Sequence, residues 1–230
     1  MVMDDLEVKI IDFGLARTLS SSHQAHEKPP VPKLRVEKKE LGDKLLSQKQ
    51  ARKQAKRSLS PHVYSRIYRP PEICLLEKHY SFEADIWSIG CIIAEILLSQ
   101  EIYSLNSDYS YERYLFKATS CYPLSPVSEL KDKEDLLDRI ENLDLVKVIL
   151  SILGDQRGYD LSYISSHQLH KYVIANFPSE NRIRFHREFK GSDRELLEVL
   201  KLSLQFNPYF RPSAADLWNR LNKPWENRKQ

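Results

Sequence analysis

No stretch of these 230 residues is long and apolar enough to cross a bilayer as a helix. The longest mostly apolar run, residues 89–98, is broken by Glu95 and falls well short of the ~20 residues a spanning helix needs. The opening Met1-Val2-Met3-Asp4-Asp5 has no basic region ahead of an apolar one, so no secretory signal is legible. Cysteine is scarce: Cys74, Cys91 and Cys121 are an odd number without metal-ligand spacing. That excludes a disulfide framework and a zinc site, and suits a reducing compartment, so a cytoplasmic or nuclear location is expected. No internal repeat is present, which sets aside solenoids and arrays.

What is present describes a globular chain with some solvated stretches. Hydrophobic residues make up 41% and charged residues 29%. The net charge of +3 is unevenly placed, because residues 33–57 carry a local balance of +7 and the remainder −4. Such a block marks a solvated loop or an interaction segment. It lacks interleaved aromatics, so stacking on bases is not indicated, and nucleic acid is set aside as a partner.

Residues 7–11 (E-V-K-I-I) predict a short strand. Residues 18–57 begin with a Thr/Ser cluster, pass Pro29, Pro30 and Pro32, and enter the basic block. They predict an exposed, disordered insertion, with a helix over 36–57 weakened by Gly42. Beyond Pro70 the pattern turns helical. Residues 85–99 are apolar around nearly the whole circumference and predict a helix buried on all sides. Residues 143–153, stopped by Gly154, predict a second, and 194–205 a third. A fourth starts at Ser213, whose hydroxyl can cap it while Asp216 faces the positive end of the dipole. Residues 155–190 show no clear period and read as loops and short helices.

Three spaced motifs carry chemistry. Asp12-Phe13-Gly14 follows the predicted strand, then comes Tyr68-Arg69-Pro70-Pro71-Glu72, and thirteen residues after Glu72 stands Asp85-Ile86-Trp87-Ser88-Ile89-Gly90-Cys91. In that order, with Arg211 in F-N-P-Y-F-R-P, they resemble the second half of the protein-kinase signature set. The finer resemblance is to the mitogen-activated and cyclin-dependent kinases, carried by V-K-I-I-D-F-G-L-A-R, H-V-Y-S-R-I-Y-R-P-P-E and E-A-D-I-W-S-I-G-C-I-I-A-E. The resemblance covers residues 7–221 apart from the insertion. It implies a mainly α fold, the C-lobe of a protein kinase with a short β element before D-F-G, with residues 222–230 as a tail.

The resemblance also assigns roles. Asp12 would hold magnesium bound to the phosphates of ATP, because a hard cation needs a carboxylate oxygen. Phe13 would pack beneath it, and Gly14 would let the backbone turn. Glu72 and Arg211 would form a structural ion pair. Asp85 would either fix the catalytic loop from below or cap its own helix. Ser65 stands where Ser/Thr kinases carry a hydroxyl. Arg66 and Arg69 match arginines that bind the activation-loop phosphate and shape the pocket for a proline after the phosphoacceptor. Ser60, followed by Pro61, is the phosphosite this implies. Implied cofactors are Mg2+ and ATP; implied partners are proteins with Ser/Thr-Pro sites and an upstream activating kinase.

The sequence also departs from the family. Pro70 replaces the alanine of A-P-E, Ile67 the usual tryptophan, and Ser60-Pro61-His62 stands in place of Thr-x-Tyr. Only eleven residues precede Asp12, and nothing matches the Gly-rich loop, the strand lysine or H-R-D-x-x-x-x-N. The N-lobe is therefore expected to be absent and the chain alone inactive, either as part of a longer reading frame or as a remnant. The rival expectation is a non-catalytic protein-binding module, a kinase-like remnant with a basic interaction loop.

Overall fold

In the computed structural model the described residues are 8–16, 64–78, 80–99, 114–124, 144–154, 161–178, 189 and 191–227. The insertion at 18–57 and Ser60 lie outside them. Six α-helices are described: α1 (Pro71–Cys74), α2 (Glu83–Leu98), α3 (Leu145–Leu153), α4 (His167–Ala175), α5 (Arg194–Ser203) and α6 (Ala214–Asn227). Short 3-10 turns cover Phe13–Leu15, Arg66–Tyr68 and Pro208–Phe210.

The β element expected ahead of Asp12 needs correction. Among the described residues no strand forms; Val8 alone has bridge pairing there, and Ser120 and Asp144 make an isolated parallel bridge. Val8, Ile10 and Ile11 are exposed. An apolar alternation becomes a strand only when a neighbour accepts its backbone bonds and covers a face.

Helix α2 is the centre. Trp87 is fully buried and stacks on Phe116, with ring centroids 5.2 Å apart. Gly90 lets α5 come close: a Cβ there would sit 2.9 Å from both Leu204 Cδ2 and Ser203 Cβ. Ile86, Val199 and Leu217 join α2, α5 and α6 in a smaller apolar cluster, while Cys91, Ala94 and Leu97 face the main core. The helix is not buried on all sides as its sequence predicts. Ile89, Ile92 and Ile96 are 40%, 47% and 58% exposed. Their spacing of three and four places them on one stripe, away from the buried face.

The other helices follow their end signals. Asp144 caps α3 by accepting from Val146 N (3.1 Å) and Lys147 N (3.4 Å), and Gly154 ends it at φ 83°. Ser213 and Asp216 cap α6 reciprocally: Asp216 N donates to Ser213 Oγ (3.1 Å) and Ser213 N to Asp216 Oδ2 (3.0 Å). Helix α6 runs on to Asn227, so the tail expected at 222–230 is helical through most of its length.

Candidate functional site

The site begins at Asp12, which precedes the turn Phe13–Leu15. Asp12 adopts the left-handed region (φ 61°, ψ 64°), and Ala16 N closes the turn on Phe13 O at 3.0 Å. A non-glycine residue there carries strain that aspartate tolerates better than most, and such strain collects at functional positions. The sequence expectation gave this flexibility to Gly14. The structure gives it to Asp12, and a Cβ on Gly14 would meet Asp12 Oδ1 at an ordinary 3.4 Å. Phe13 does not pack beneath Asp12 either, being 68% exposed. Among the described residues it belongs to no apolar cluster.

The second part is the segment 64–72. Ser65 is exposed and leads into the 3-10 turn Arg66–Tyr68 without capping it. Arg66 Nη1 donates to Thr119 O, and Arg69 Nη2 to Tyr64 O at 2.8 Å. Arg66 Nε, Arg69 Nε and Arg69 Nη1 are buried without a conventional hydrogen-bond partner. Helix α2 holds the segment from below: Tyr68 Oη donates to Glu95 (2.9 Å), and Ser88 Oγ to Tyr68 O (3.0 Å). Burial and then the Glu95 bond push the Tyr68 hydroxyl up to about 12.

Asp85 lies near the start of α2, exposed, and the N-cap residue of that helix, Phe82, makes no side-chain cap. It instead accepts Tyr64 Oη at 2.6 Å. Burial, followed by that bond, drives the Tyr64 hydroxyl far above its ordinary value. Tyr64 is thus a positioning contact that the sequence reading missed.

Glu72 and Arg211 are brought together completely. Arg211 Nη1 and Nη2 each donate to one Glu72 oxygen at 2.7 Å, with both side chains essentially inaccessible. The remaining guanidinium hydrogens reach Glu83 O (2.8 Å), Gln205 O (2.8 Å) and Phe206 O (3.3 Å). The guanidinium also lies over the Trp87 ring, 5.0 Å from its centroid. Alignment of this kind is what a buried ion pair needs to offset desolvation.

Among the described residues no hydrogen bond or ion pair joins the Asp12 turn to the arginine segment. Magnesium is an implied ion, and the donor set accommodates it in part. Asp12 offers an exposed carboxylate on a strained turn. Among the described residues no group of three or more His, Cys, Asp or Glu could cage a metal. A single protein carboxylate suits Mg2+ that takes its other ligands from phosphates and water.

The described residues thus form a helical body tied by a buried Glu–Arg pair, with an arginine-bearing turn held on its central helix and a D-F-G turn before it. The family comparison names it: residues 1–225 match the protein kinase domain, and the chain belongs to that family. It is 25% identical to mitogen-activated protein kinase 2 of Arabidopsis thaliana over 94% of the chain and 39% of that protein. It is 26% identical to mitogen-activated protein kinase KSS1 of Saccharomyces cerevisiae over 94% of the chain and 43% of that protein. With mitogen-activated protein kinase mpk-1 of Caenorhabditis elegans the identity is 29%, over 73% of the chain and 29% of that protein. The chain spans about two fifths of the length of the first two of these relatives.

Proposed function

We propose that this chain supplies the magnesium carboxylate and the substrate-facing arginine segment of a serine/threonine kinase that acts before proline. The observation that carries the reading is the Tyr64–Glu72 segment, anchored on α2 by Tyr64, Tyr68 and Ser88 and locked at its end by Glu72–Arg211. Arg66 and Arg69 place two guanidinium groups on this segment, the charge that a phosphate would pair with. Asp12 would hold Mg2+, which when bound to ATP neutralises charge developing on the transferred phosphoryl group. Ser65, exposed beside the arginines, would face the substrate hydroxyl, and Ser60 would be the activating phosphosite. Ser/Thr-Pro proteins and an upstream kinase are the partners this reading carries. Three free thiols fit a reducing compartment, so we place the protein in cytoplasm or nucleus.

These 230 residues contain no G-x-G-x-x-G and no H-R-D. Phosphoryl transfer depends on positioning and charge stabilisation from those segments. Residues 1–230 alone are therefore inactive in this reading; the second reading is a partner-binding module with a basic interaction loop.

Tagging the protein at Gln230 in its own gene and purifying it with its associated chains separates the two. The kinase reading requires Mg-ATP-dependent transfer to a Ser-Pro peptide in preference to Ser-Ala, lost in Asp12→Asn. Transfer that survives in Asp12→Asn, or no transfer under any activating condition, overturns it.

A further inference from the structure

We propose that the Tyr64 side chain is a pin: bonded to Asp85, it closes the arginine segment on α2 and keeps that segment ordered independently of modification at Ser60. Its hydroxyl donates to Asp85 Oδ1 at 2.6 Å, and its carbonyl accepts from Arg69 Nη2 at 2.8 Å. One half-buried residue thus joins a carboxylate of α2 to a guanidinium just past the turn Arg66–Tyr68.

The downstream end of the segment returns to the same turn of α2. Arg211 Nη2 donates to Glu72 at 2.7 Å, and Arg211 Nη1 donates to Glu83 O at 2.8 Å, two residues before Asp85. Residues 64–72 therefore form a loop closed on the first turn of α2 at both ends. Between the ends, Ser88 Oγ donates to Tyr68 O at 3.0 Å and Tyr68 Oη to Glu95 at 2.9 Å.

The two closures are unequal. The downstream one is a bidentate ion pair with both side chains inaccessible, while the upstream one is a single phenol on an exposed carboxylate. A loop gains order only while both ends are held, so the weaker closure sets how often it opens. The base of that closure is firm: Asp85 N and Ile86 N both donate to Phe82 O, at 3.0 and 3.2 Å.

Opening at Tyr64 reaches the arginines through the backbone. Tyr68 N donates to Ser65 O at 3.1 Å and Arg69 N to Arg66 O at 3.2 Å, and these bonds close the turn. Both accepting carbonyls lie on the Tyr64 side of Tyr68, so freeing Tyr64 loosens both, and Arg69 loses the carbonyl that directs it. Every group in the closure belongs to the chain itself, which is why it acts without a phosphate. The consequence for substrate recognition rests on the kinase reading; the ordering does not.

The test is hydrogen–deuterium exchange on the full chain, resolved to the Tyr68 and Arg69 amides. Tyr64→Phe keeps the ring, removes only the hydroxyl, and should speed exchange of both amides about tenfold. Asp85→Ala should match it, and the double variant should go no further. Asp85→Asn keeps an acceptor oxygen and should retain most of the protection. Ser60→Ala, and Ser213→Ala as a control for general loss of stability, should leave both amides as they are. Unchanged exchange in Tyr64→Phe overturns the proposal, as do additive losses in the double variant, an equal rise at the α5 amides, or lost protection in Ser60→Ala. In the protein tagged at Gln230, Tyr64→Phe should raise KM for the Ser-Pro peptide about tenfold with kcat kept. A fall in kcat at unchanged KM overturns the recognition role. No transfer by the wild-type protein counts against the kinase reading alone, and the exchange result still decides the pin.

Discussion

Every N–H group of Arg211 points at an oxygen: two at Glu72 and the rest at the carbonyls of Glu83, Gln205 and Phe206. The side chain therefore ties four parts of the body at once, and truncating it strands a buried carboxylate and three carbonyls. Arg211→Ala should lower stability by about 3–5 kcal/mol, against about 0.5 kcal/mol or less for exposed Arg220→Ala. Arg211→Lys should recover only part of the loss, since an ammonium cannot reproduce the planar fork. Urea unfolding followed by circular dichroism measures this, and equal midpoints for the Arg211→Ala and Arg220→Ala chains would contradict the geometry. Gly90 makes an opposite kind of claim. A methyl there meets Leu204 and Ser203 at 2.9 Å, so Gly90→Ala should destabilise by about 1–3 kcal/mol despite alanine's higher helix propensity. A more stable Gly90→Ala variant would show that α5 can move away at little cost. The pairing of Glu72 with Arg211 was legible because the family motif supplies both residues. The need for a small residue at position 90 was not, since only the approach of α5 creates it.

At the scale of elements, long apolar patterns and end signals located α2, α3, α5 and α6 within a few residues. Helix α4 escaped because only Leu169 and Val173 bury, a single i, i+4 pair within a polar and aromatic stretch. Its one usable sign was Ser166, which accepts from Leu169 N at 3.3 Å. The open stripe on α2 was also illegible, because circumference alone does not reveal which faces find neighbours. Asp144 differs from the other caps. Besides the start of α3 it receives Tyr122 N and, at 2.8 Å, Tyr172 Oη, while burying almost all of its surface. Removing the carboxylate orphans donors on three elements, each costing about 1–3 kcal/mol where burial keeps water out. Asp144→Ala should therefore cost more than Ser213→Ala, an exposed cap expected to be worth about 1 kcal/mol. Comparing the two by urea midpoint tests this, and a smaller loss for Asp144→Ala would mean that water replaces the carboxylate.

At the scale of the molecule, family membership was the most legible property, since ordered motifs survive at identities near a quarter where composition and length carry little. The placement of the Asp12 turn was not legible, because it depends on what packs around residues 8–16 rather than on the motif. Regulation belongs to this scale too. Ser60 stands twelve residues before Glu72 and is followed by Pro61, while Arg66 and Arg69 place two guanidinium groups on the segment between. A phosphate on Ser60 would bring about −1.5 to −2 charge and three acceptor oxygens, enough for several charge-assisted bonds to those guanidinium groups. Its charge would also offset part of the +7 carried by residues 33–57. The protein tagged at Gln230 should then gain Ser-Pro kinase activity on treatment with an activating kinase. Ser60→Ala should lose that gain, while Ser58→Ala keeps it. Phosphate incorporation measured in parallel distinguishes a site that is not modified from one that is modified without effect. Full stimulation of Ser60→Ala, with phosphate appearing on Ser58, would move the switch two residues upstream and leave Arg66 and Arg69 without the role given them here.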